Sequence, residues 1–146
     1  MRKVAVTLFF FMAVSLYGGN HDKLIGDWKF NVEKFKESKE YKDAIKDPQG
    51  GQMMQFMLGM FAKMSFTFTK THTIANIPGP NGPQQEKTEY VVVSDSGDKL
   101  ELKAKSPQGK EEVMVLTFID DKNIRMEPKE KPKGPGPAQV LFLMKK

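Results

Sequence analysis

The sequence predicts a mainly β fold: an eight-stranded antiparallel up-and-down barrel with a helix pair inserted after the first strand. Three observations carry this. Eight short segments read as strands, several with apolar–polar alternation, turn signals separate the seven consecutive ones, and both ends of the folded chain are strands. Closing such a sheet removes its exposed edges. A barrel of about eight strands either fills with its own side chains or holds one small ligand. A two-sheet sandwich is the competing closure.

The chain has 146 residues. Residues 1–18 read as a secretory signal peptide, because Arg2 and Lys3 precede an apolar run over residues 4–16. That run is short of the roughly 20 residues that span a bilayer, so the leader is read as removed rather than retained as an anchor. No A-x-A site is present; a cut after Gly18 puts Leu16 and Gly18 at the two recognition positions. Residues 19–146 remain as one domain without a stable membrane span, periplasmic or secreted. Losing Arg2 and Lys3 leaves 21 basic against 18 acidic residues, a formal +3. Apart from Arg125 the remaining basic residues are lysines interspersed with acids, which speaks against nucleic acid as a partner. With no cysteine there is no disulfide, lipoprotein thioether or thiolate metal site, so stability must come from packing.

The elements follow in order. Residues 25–30 (IGDWKF) form the first strand, with Trp28 and Phe30 on one face. Residues 32–47 form a helix with a narrow stripe of Phe35, Tyr41 and Ile45, stopped by the DPQGG run at 47–51. A second helix covers residues 52–64. There Met53, Met57, Met60 and Met64 fall within an arc of about 60°, flanked by Phe56 and Phe61, with Gln55, Gly59 and Lys63 opposite. The period then changes to two. Phe66 and Phe68 mark one strand and Ile74 and Ile77 the next, and the Pro/Gly-rich loop 78–83 cannot be sheet interior. Residues 89–94, the turn 95–98 and the alternation Leu100, Leu102, Ala104 make a hairpin. After the turn 107–109, strands follow at 113–119, through Ile124 and Met126, and at 139–144, the last reached through a Lys/Pro/Gly linker at 127–137.

The Gly26-x-Trp28 motif on a first strand, a helical insertion and a meander ending in an apolar strand with basic residues resemble the calycin superfamily. Within it the chain is most similar to small secreted bacterial lipocalin-like domains. The resemblance implies a barrel whose closed end is plugged by Trp28 next to Gly26, with Lys145 or Lys146 over the indole. It also implies a two-helix lid like that of intracellular fatty-acid-binding proteins, whose post-strand aromatic Phe35 approximates. The carboxylate-binding Arg and Tyr of those proteins have no counterpart in Leu143-Met144-Lys145-Lys146.

No nucleophile elbow, zinc-protease motif or phosphate-cradling glycine loop is present, so no enzyme and no cofactor are expected. The leading expectation is a non-enzymatic protein binding a small apolar or amphipathic molecule, with Phe35, Met57, Phe61, Phe68, Tyr90 and Phe142 as lining. The methionine stripe reads as core filler, as a compliant lid, or as a soft copper site built on Met54, Met57 and Met60. A cut after Gly18 would expose Gly19-Asn20-His21, whose amine, amides and imidazole suit square-planar Cu(II) or Ni(II). The rivals are therefore an envelope interaction module with a filled core and a copper-handling periplasmic protein.

Overall fold

The computed structural model describes residues 19–105, 108–130 and 140–146. The expected leader, Pro107 of one expected turn, Gln139 and most of the Lys/Pro linker lie outside them. Strands β1 (Gly26–Phe30), β2 (Ser65–Phe68), β3 (His72–Gly79), β4 (Gly82–Ser96), β5 (Lys99–Lys105), β6 (Glu111–Asp120), β7 (Asn123–Pro128) and β8 (Leu141–Lys145) form one closed antiparallel barrel. Each strand pairs with its sequence neighbours, and β8 returns to β1. The barrel, not the sandwich, is the closure.

The register fixes what points inward. Trp28 stands opposite both Phe66 and Lys145, and Phe30 opposite Leu143, so these side chains share the inner face. Trp28, Phe68, Leu100, Leu116, Ile124 and Leu143 are almost completely buried and belong to one continuous cluster. Gly26 has φ +134°, which favours glycine, and a Cβ there would also press on the Lys145 stem, 3.3 Å from its Cε. Lys145 Nζ lies 5.6 Å from the indole centroid of Trp28, whose Nε1–H donates to Leu24 O at 2.7 Å.

That carbonyl belongs to α1 (Gly19–Leu24), a short helix ahead of the first expected element. It crosses the barrel end at which β1 begins. The Asn20 amide donates to Asp95 Oδ1 and Gly97 O, Lys145 Nζ donates to Lys23 O, and Leu24 is fully buried.

Three helices, not two, cover the other end: α2 (Val32–Glu37), α3 (Lys39–Ala44) and α4 (Pro48–Phe61). The single helix expected over 32–47 breaks at Ser38, whose Oγ accepts the Tyr41 N–H and caps α3. The DPQGG run is a start rather than a stop. Asp47 accepts the Gly50 N–H, and Pro48 occupies the first turn. Glycine at 50 serves packing, since a Cβ there would sit 2.4 Å from Ala44 O. A separate cluster of Phe30, Phe35, Met54, Leu58, Val140 and Phe142 joins this cap to the rim.

Strands β3 and β4 outrun the barrel. β3 pairs with β2 only at positions 73–76, and β4 pairs with β5 only from Tyr90 onward. Residues 77–79 and 82–84 therefore project as a two-stranded arm with a Pro80–Asn81 turn, and residues 85–89 lie along β3 ahead of the β5 pairing. The loop expected at 78–83 is largely strand, and Pro78 pairs with Pro83. The Tyr90 N–H bonds Thr71 O, which sets the ladder phase. Counting in twos from that bond, Pro78 and Pro83 fall on a non-hydrogen-bonded pair, so neither proline costs the ladder a donor.

Candidate functional site

Among the 14 residues of α4 none is charged, and apolar side chains occupy far more than one face. Met54 and Leu58 turn into the cap cluster, with Phe61 packed against it. Met53, Phe56 and Met60 face out, with 62 %, 70 % and 40 % of their surface exposed. The expected methionine stripe is therefore about a quarter-turn away from the buried face. Met57 lies between the two.

The arm runs alongside this outer face. Phe56, Gly59, Met60, Lys63 and Gln55 on one side and Pro78, Gly79 and Pro80 on the other line an open groove of about 550 Å³. That volume falls within the range of small-molecule sites, roughly 300–1,000 Å³. Nothing stands within 4 Å of a Cβ built on Gly59, so the missing side chain leaves open space at this wall. Across the helix, Tyr41, Ile45, Pro48, Gly51 and Gln52 line a second recess of about 520 Å³ that shares Gln55 with the first.

The six residues expected to line one pocket separate instead. Phe68 and Tyr90 belong to the barrel core. Phe35, Phe61 and Phe142 belong to the cap cluster, where Phe35 lies 5.8 Å from Tyr41 and 6.3 Å from Phe142 by ring centroid. The cause is strand alternation: Phe142 neighbours inward-facing Leu143 and so projects from the outer face of β8, under the Arg125 guanidinium. Neither recess opens into the barrel. Phe56, Met60, Pro78 and Pro80 were not among the residues the sequence offered as pocket lining. The width of the apolar arc on α4 was the available signal, because a helix that packs on one side needs little more than about 100°.

Neither copper arrangement is assembled. Met54 and Met60 are about 120° apart around α4, one buried in the cap and the other exposed. The Gly19-Asn20-His21 stretch is helical, Asn20 is buried, and the His21 N–H donates to Asp95 Oδ2 at 3.2 Å. A square plane of backbone nitrogens would require breaking that bond and unwinding α1. His21 Nε2 stands 3.0 Å from Tyr90 Oη, which itself donates to Thr69 O, so Nε2 carries the proton in this contact. Among the described residues no three His, Asp or Glu side chains cluster as a metal site.

The charged link between cap and barrel is Arg125, 2.7 Å from Glu40 of α3 and 3.3 Å from Glu127. Burial pushes the Glu40 carboxyl up, but a backbone amide, the guanidinium and the Ser38 hydroxyl outweigh it and hold the group below its ordinary value. Burial raises the Tyr90 phenol, which stays protonated. Fold and groove together define a small closed β-barrel with a helical cap. Family models, curated proteins and solved structures yielded no match to the chain.

Proposed function

We propose that this is an exported, non-enzymatic, lipocalin-like barrel that binds a small apolar or amphipathic molecule in the groove between α4 and the arm. The observation that carries the reading is the groove itself, with about 550 Å³ of apolar-walled space beside exposed Phe56 and Met60. Flexible methionine fits varied apolar shapes, and the Lys63 ammonium at the same wall suits an anionic head group. The Gly26-x-Trp28 strand and the lysine over its indole support the lipocalin-like assignment. The signal-like leader supports export.

Gly59→Leu tests this reading. It fills the groove wall while improving helix propensity, so native stability should rise by up to about 1 kcal/mol. Binding of a neutral apolar dye, N-phenyl-1-naphthylamine, should fall with it. Undiminished dye binding would remove the groove from consideration. The continuous packing of the barrel interior favours a second reading, an envelope interaction module with a filled core. Native mass spectrometry of protein taken from its own envelope separates the two, since a carried ligand adds mass.

A further inference from the structure

A small molecule in the groove would leave part of the apolar surface of α4 in water. Met53 is 62 % exposed, yet it lines neither recess. Met53, Phe56 and Met60 fall within an arc of about 60° on one side of the helix, and Pro80 at the arm tip shares the groove with the last two. Only a broad partner covers all four together. The charges around them are unequal. From residue 48 to 64 the chain has no acid and one lysine, Lys63. The acids nearest in sequence are held within the protein. Glu40 pairs with Arg125, Asp43 pairs with Lys46 at 2.7 Å, and Asp47 caps the Gly50 amide. Lys63 at the groove wall and Lys42 on α3 are among several lysines with no ion pair among the described residues.

From this we infer that the outer face of α4 and the arm tip dock on an anionic lipid surface. An uncharged helix with Phe and Met on its outer side and Lys63 just past its end has the composition of an interfacial helix. Its apolar side enters the headgroup boundary while ammonium groups meet lipid phosphates. The formal +3 of the exported chain acts in the same sense. This docking is distinct from uptake of a free molecule, although the two share Phe56 and Met60.

Co-sedimentation of the exported chain with phosphatidylcholine vesicles, with and without phosphatidylglycerol, tests the inference. Binding should require phosphatidylglycerol and weaken as salt rises from roughly 0.1 to 0.5 M. The double variant Phe56→Ser/Met60→Ser should lower partitioning about tenfold or more, and Lys42→Gln/Lys63→Gln should remove most of the preference for phosphatidylglycerol. All four positions lie on the surface, and unchanged melting temperatures would show that the variants fold. Wild-type binding no better than a vesicle-free control, or equal partitioning of the double variant, would overturn the inference. So would a change from dimer to monomer in the variants without a change in vesicle binding, which would mark a contact between copies. Gly59→Leu keeps the two readings apart. Lost dye binding with retained vesicle binding leaves docking standing alone, and the converse in the wild type removes docking and leaves the groove.

Discussion

The two ends of this barrel are sealed by different physics. At one end the six residues of α1 hold on through directional contacts: Asn20 to Asp95 and Gly97, His21 to Tyr90, and the indole to Leu24 O. Only Leu24 inserts into the core there. At the other end three helices hold on through a second apolar cluster and one charged link, Arg125–Glu40. Polar partners that must be met one by one specify a single seated position for a short segment. Apolar packing is non-directional and tolerates excess, which is how α4 retains a second apolar face that the described residues leave largely exposed.

The sharpest division between the two ends should appear at Trp28. Trp28→Ala empties the centre of the barrel cluster and should cost about 3–5 kcal/mol by denaturant melting, with exchange of amides accelerated in strands and cap alike. A loss under about 1 kcal/mol would mean that the barrel does not depend on its own interior.

Phe35→Ala should act on the cap alone. About 3 kcal/mol of packing is lost there, so amides of α4 should exchange faster while those of β5 keep their protection. Equal acceleration in both would show that the two clusters open as one unit.

The smallest effect belongs to the charged link. Glu40 titrates lower in the folded chain than its ordinary 4.5, so its contribution is complete above that pH and disappears as pH falls through the depressed value. The pair is partly exposed, which limits the effect to about 1 kcal/mol or less. Melting between about pH 3 and 6 should therefore show a steeper acid loss for the wild type than for Glu40→Gln. Parallel curves would remove the link from the account of how the cap is held.

Strand order was readable because alternation has period two and each turn has its own punctuation, as at Ser96-Gly97-Asp98. Gly97 there has φ +61°. The rotation of α4 was not readable. Its apolar arc spans Phe56, Met60, Met53, Met57, Phe61, Met54 and Leu58, about 200° in all, and periodicity cannot say which part of so wide an arc packs. The break at Ser38 was present as a cap residue but hidden by a run of good helix formers around it. The groove needed both misplaced pieces, a helix turned outward and a hairpin longer than its neighbours, and neither is a local property.

The arm carries a consequence of its own. A ribbon that leaves a barrel has two naked margins, each a template on which another chain could build intermolecular sheet and seed aggregates. Pro78 lies on the margin of β3 and Pro83 on that of β4, each where the backbone would otherwise offer an amide to a newcomer. Lys87 adds charge farther along β4. The same pair that leaves the arm's internal ladder intact thus makes its outside unfit for recruitment, and the barrel can extend two strands into solvent without inviting a third.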